Sequence, residues 1–103
     1  MKRPRTERRE RERAAQKLAR DRERLARLDA GGAPERPIEL ASASQVEVHA
    51  RSLGCARCGG EARVTAHEAH VVRAQSLRLV RLACPACGAR REVWFRIAEP
   101  LPS

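Results

Sequence analysis

Aromatic side chains are almost missing from this sequence, which has one Phe, one Trp and no Tyr in 103 residues. Any core must be aliphatic, and of the 43 apolar residues 18 are alanine, beside nine Leu, seven Val, two Ile and one Met. A chain this short with so little to bury needs a staple, either a metal or disulfides. There is also no run of 18 or more uncharged apolar residues, which argues against a membrane-spanning helix. The opening MKRPRTERRERERAA has none of the apolar stretch that a secretory signal requires. Together these absences lead to the expectation of a soluble cytoplasmic protein without a membrane partner, whose thiols stay reduced. No nucleophile and base pair, glycine-rich phosphate loop or paired carboxylates stand out, so no small-molecule substrate is evident and a non-enzyme is expected.

What is present is a set of four cysteines in two C-x-x-C pairs, Cys55 with Cys58 and Cys84 with Cys87, and no fifth cysteine. In a reducing compartment such pairs bind metal or carry redox chemistry more often than they form structural disulfides. Two residues between cysteines let a tight turn aim both sulfurs at one ion, and glycine follows each hook (Gly59, Gly60 and Gly88), where a sharp turn needs positive φ. A thioredoxin-like role would place one pair at a helix N-terminus within a βαβ pattern, and neither hook has that setting.

Charge is lopsided. Residues 1–29 carry 12 Lys+Arg against 6 Asp+Glu, a net of +6, while residues 30–103 carry 10 against 7, a net of +3. The segment PRTERRERERAAQKLARDRERLARLD is rich in helix formers and offers opposite charges four apart at Glu7/Arg11, Arg8/Glu12 and Glu23/Arg27. A basic helical arm is therefore expected over 1–29, with Pro4 in its first turn. Ala14, Leu18, Leu25 and Leu28 make an apolar stripe interrupted by Asp21, so only its second half could dock. AGGAPERP, residues 30–37, reads as a linker, and a ribbon domain is expected over 38–103. Arginine outnumbers lysine twenty to two throughout, so codon bias accounts for the excess as readily as guanidinium contacts do.

Beyond the linker, Val46, Val48 and Ala50 alternate with Glu47, His49 and Arg51, which predicts a half-buried approach strand at 46–53. EARVTA follows the first hook, HEAHVVRAQS reads as a loop or irregular hairpin, and strands are predicted at 77–83 and 91–97. Leu77 and Leu79 on one face and Val80 and Leu82 on the other predict a central strand covered on both sides. Arg91, Val93, Phe95 and Ile97 should share a mostly core face. His67 and His70, spaced H-x-x-H, are expected in a loop without a role, and none is assigned to His49.

C-A-R-C-G-G at 55–60 and C-P-A-C-G at 84–88, each followed by a β-prone run, resemble the two knuckles of the zinc-ribbon family, whose four-cysteine sites are rubredoxin-like. The resemblance covers roughly residues 46–98. It implies Cys55, Cys58, Cys84 and Cys87 as ligands of one structural Zn2+ at the end of a three-stranded antiparallel sheet. The fold class expected is thus a small, mainly-β zinc ribbon with one extra strand, preceded by a basic α-helix. Four thiolates leave no open position for water or substrate, so catalysis at the metal is not expected. Rubredoxin-like iron electron transfer is a minor alternative, since four-cysteine sites accept iron, but rubredoxin cores are packed with aromatics.

Two functions compete. In the first, the ribbon associates with RNA, DNA or a nucleoprotein through its basic arm, with Arg8, Arg9, Arg13 and Arg20 on phosphate and with Arg90, Trp94 and Arg96 on one strand face available for stacking. Against stacking, aromatic interleaving is absent, and Trp94 has an ordinary place packed beneath the helix or the approach strand. In the second, the ribbon's sheet edge or Trp94 face and the Leu18, Leu25 and Leu28 stripe contact a protein partner and no nucleic acid is bound.

Overall fold

A computed structural model describes residues 4–98, leaving the first three residues of the arm and the last five of the chain outside it. Helix α1 runs Pro4–Leu28, opening on proline as the missing N–H allows. It buries no residue. Of the three charge pairs expected along it, Glu7–Arg11 forms at 3.8 Å, while Glu23 turns outward to Arg57 of the first cysteine hook at 3.6 Å. Residues 29–37 follow as a hydrogen-bonded turn. Buried Gly31 donates to Arg36 O and accepts from Trp94 N–H at 2.8 Å, and Arg36 Nη2 reaches Arg27 O at 2.8 Å. Gly31 has φ 87°, and a Cβ there would come within 2.8 Å of Ile38 Cδ1 and 2.9 Å of Val93 Cγ1, so only glycine fits against the sheet.

The sheet holds four strands: β1 (Ile38–Leu40), β2 (Arg63–Val72), β3 (Gln75–Ala83) and β4 (Arg90–Ile97), in spatial order β1-β4-β3-β2. β2, β3 and β4 are antiparallel neighbours, whereas β1 pairs parallel to β4, with Ile38 opposite Phe95. The three-stranded antiparallel sheet expected from the sequence is therefore corrected to a four-stranded mixed one, and the extra strand is Ile38–Leu40.

Residues 46–53, expected as a strand, form helix α2 (Val46–Leu53). Val46 and Ala50, four apart, share a face in a strand and in a helix alike, so alternation alone could not separate the two. Leu53 separates them: seven residues from Val46, it joins the same face only in a helix, where it packs against the core. The start is set by Ser42, whose hydroxyl accepts from Ser44 N at 3.1 Å and caps a short 3-10 turn over Ala43–Gln45 that leads into α2. Gly54, at φ 70°, ends it. Val48, which a strand would turn inward with Val46, is 60% exposed.

HEAHVVRAQS, expected as a loop or irregular hairpin, instead spans most of β2, a tight turn at Arg73 and Ala74 (both at positive φ) and the start of β3. A register shift between Val64 and Ala66 breaks the alternation and hides the strand from a period-2 reading. His67 and His70 thus lie on a strand. One core gathers Val46, Ala50, Ala62, Val80, Leu82, Val93 and Phe95 between α2 and the sheet. Behind it, Leu77 and Leu79 are buried at 2% exposure each. His70 from β2 and Trp94 from β4 meet edge to face across β3, centroids 5.6 Å apart, and so lean over these two leucines. The central, doubly covered β3 matches expectation.

Candidate metal centre

Two hooks with the same backbone pattern hold the cysteines. In the first, between α2 and β2, Cys55 N–H donates to Gly60 O at 2.8 Å and Gly59 N–H to Cys55 O at 3.0 Å. In the second, between β3 and β4, Cys84 N–H donates to Ala89 O at 2.9 Å and Gly88 N–H to Cys84 O at 2.8 Å. Gly59 and Gly88 sit at φ 77° and 76°, the turn that frees backbone N–H groups to face sulfur. Arg57 N–H and Cys58 N–H donate to Cys55 Sγ, and Gly60 N–H to Cys58 Sγ, each at 3.4 Å.

All four sulfurs lie within 4.8 Å of one another, with Cys55–Cys87 at 3.6 Å and Cys58–Cys84 at 3.5 Å, and none is in a disulfide. A tetrahedron with metal–sulfur bonds of about 2.3 Å has edges of about 3.8 Å. The four donors therefore fit one four-coordinate ion. Gly60 borders the cluster so closely that a Cβ there would lie 3.3 Å from Cys58 Sγ.

Electrostatics point the same way. Burial pushes the Cys55 thiol up, but the N–H groups of Cys58 and Arg57 and the neighbouring sulfurs outweigh it and hold Cys55 at about 7. The Cys87 N–H leads the pull that lowers Cys84. Cys87 has Ala89 N–H drawing it down, yet desolvation and the three other sulfurs raise it to about 12. Four crowded thiols do not all ionise by themselves, so a cation is needed to draw them in together. Arg91 stands behind the hook, its Nη1 3.3 Å from Gly54 O. Burial pulls its guanidinium below the ordinary arginine value, opposed by the charges of Asp29 and Cys55.

The other residues singled out in the sequence fall in three places. Arg8, Arg9, Arg13 and Arg20 are all exposed on α1, and none pairs with an acid among the described residues. Arg90 and Trp94 come together where α1, the first hook and β4 meet. Arg96 does not join them; it forms an ion pair with Glu39 of β1. Among residues not singled out, Lys17, Arg24 and Arg27 continue the spacing of Arg9, Arg13 and Arg20 at steps of three and four, so all six line one side of α1. That signal was readable as a helical period. Arg91 shares the core face of β4 with Val93, Phe95 and Ile97, and nothing in the sequence places that end of the strand beside the first hook.

His67 Nδ1 lies 3.9 Å from Glu47 of α2, and its Nε2 is buried without a partner among the described residues. His49 meets Phe95 edge to face at 5.8 Å. No helix among the described residues is long and apolar enough to cross a membrane. Comparisons with protein-family models, curated proteins and solved structures return no match to this chain.

Proposed function

We propose that this chain is a non-enzymatic zinc module of the ribbon type that works in the reducing cytoplasm and carries a basic helical arm to nucleic acid. Zinc is favoured over iron because a closed four-thiolate site suits a structural ion and because the core has a single phenylalanine where rubredoxin-like iron proteins pack many aromatics. A purified protein that is colourless and carries one zinc per chain agrees with this; a red, iron-loaded protein overturns it. The observation that carries the nucleic-acid reading is that α1 buries nothing while Arg8, Arg9, Arg13 and Arg20 all face solvent and pair with no acid among the described residues. The fold has no use for these charges, and a phosphate backbone would.

The test is a titration of the zinc-loaded full chain against labelled RNA and duplex DNA at several salt concentrations, beside the quadruple variant R8S/R9S/R13S/R20S. Each phosphate contact contributes about 0.7 to 0.9 to the log–log salt slope, so the variant's slope should be shallower by about 3. Equal slopes for the two proteins would remove the arm from the interface.

A second reading, a protein-interaction module, is favoured by one feature: Leu18, Leu25 and Leu28 are 52%, 61% and 63% exposed, so the leucine stripe is not spent on the chain's own core. Binding that resists salt and is lost on polar substitution of these leucines would select it.

A further inference from the structure

Where α1, the first cysteine hook and β4 meet, the chain leaves a cleft of about 240 Å³. Trp94, Ala26 and Ala56 line it, together with Arg27, Arg90 and Arg91 and the carboxylates Glu23 and Glu92. The two acids are already engaged. Glu23 pairs with Arg57 at 3.6 Å and Glu92 with Arg81 at 3.1 Å. The side chains of Arg27 and Arg90 have no such partner among the described residues, whereas Arg91 has the Gly54 carbonyl and the charges of Asp29 and Cys55. Two unpaired guanidinium groups, those of Arg27 and Arg90, thus border an indole in a cleft whose own carboxylates face other cations, a setting that lacks an anion attached to something flat.

Size narrows the choice. The cleft falls below the roughly 300–1,000 Å³ of sites for drug-sized ligands, and a base inside a duplex cannot enter it. Connection narrows it further. Arg27 is both a wall of the cleft and the last of the basic row Arg9, Arg13, Lys17, Arg20, Arg24 and Arg27. Over those 18 residue steps an α-helix rises about 27 Å, long enough to follow several phosphates of one strand.

We propose that this cleft receives one unstacked base of a single-stranded nucleic acid against Trp94, with the adjoining phosphate held by Arg27 and Arg90 and the strand continuing along the basic row of α1. The assignment rests on the nucleic-acid reading of the arm and adds to it the strandedness of the ligand and a site for a base. A lone Trp94 on the strand face, without the several aromatics usual in single-strand binders, then suffices because only one base is stacked and the helix supplies the remaining attraction.

The chain has no tyrosine and no second tryptophan, so its indole emission reports this cleft alone. The zinc-loaded full chain is titrated with end-labelled oligo-dT and oligo-U of about 12 nucleotides, within the usual range of single-strand site sizes, and with a duplex of equal length. Label anisotropy and Trp94 emission are read together. Single strands should quench Trp94 in step with the anisotropy rise, and R27A/R90A should weaken single-strand binding about tenfold while duplex binding weakens far less. Because Trp94 also leans over Leu79, Trp94→Leu is used only where its far-ultraviolet dichroism matches the parent, and it should cost a similar factor. If the anisotropy rises with Trp94 emission unmoved and R27A/R90A binds like the parent, the base site is wrong and the arm reading survives. If no oligonucleotide binds at low salt, both fall.

Discussion

At the level of single residues, the candidate metal centre is written in four cysteines whose neighbours have made them unequal. Cys55 is held at about 7 by N–H donors that outweigh its burial, whereas Cys87 is raised to about 12 by desolvation and by the other three sulfurs despite one N–H from Ala89. The sign of the consequence follows directly. A thiol raised above its ordinary value still carries its proton at neutral pH, that proton must leave when the ion binds, and so acid favours the metal-free chain. Each proton expelled weakens the apparent affinity about tenfold for every unit of pH lost. Competition against a chromophoric zinc chelator, repeated from about pH 6 to pH 8, should therefore show affinity rising with pH; a flat profile would mean that the thiols are not the ligands. These four residues were the most legible part of the sequence, because C-x-x-C spacing with a following glycine is local backbone geometry and needs no knowledge of the fold. Arg91 was illegible for the opposite reason. Its place behind Cys55 is created by β4 packing against the loop after α2, a contact 37 residues apart in sequence.

Among the secondary-structure elements, legibility follows how far each pattern is ambiguous between periods. α1 and the strands at 77–83 and 91–97 each carry one clear signal, helix-forming charge pairs in the first case and β-branched or aromatic residues in the others. Residues 46–53 carry two. Val46 and Ala50 fit both periods, Val48 argues for a strand and Leu53 for a helix, and the decision belongs to the ends, where Ser42 caps the 3-10 turn that leads into α2 and Gly54 closes the helix. β2 was hidden by its bulge and by the charged face that it shares with β3, where Arg81 meets both Glu68 and Glu92. The identity of α2 can be checked by two substitutions that a strand would treat alike, since positions 48 and 50 would then share a face. In the helix they differ. Ala50 is fully buried against the sheet, so Ala50→Leu should overpack the core and cost about 1–3 kcal/mol. Val48 is exposed, and Val48→Ala should be neutral or stabilising by a few tenths of a kcal/mol, since alanine is the better helix former. Denaturant unfolding of both zinc-loaded variants measures the difference, and equal losses would return 46–53 to a strand.

Over the whole molecule, extents of 73 × 23 × 19 Å describe a small four-stranded domain with a helix projecting from it, and the two halves are stabilised differently. α1 buries no residue, so its order comes from propensity, charge pairs four apart and its anchorage through Glu23–Arg57 and the Gly31 turn. The sheet domain has only seven residues in its main core cluster, five of them alanine or valine, and cannot supply much beyond the entropy of ordering its own chain. A structural zinc site contributes on the order of 10 kcal/mol to folding, comparable with the entire stability of an ordinary domain. Removing the metal should therefore dismantle the sheet and spare part of the helix. On adding a strong chelator, Trp94 emission should shift to the red as β4 leaves Gly31 and His70, while a helical dichroism signal at 222 nm persists in part, because a 25-residue Arg, Glu and Ala-rich helix retains some order alone. Restoring zinc should reverse both changes. A chelated chain that keeps its Trp94 emission and still melts cooperatively at the same temperature would show that the aliphatic core holds the sheet without the ion, and the four cysteines would then need a purpose other than folding.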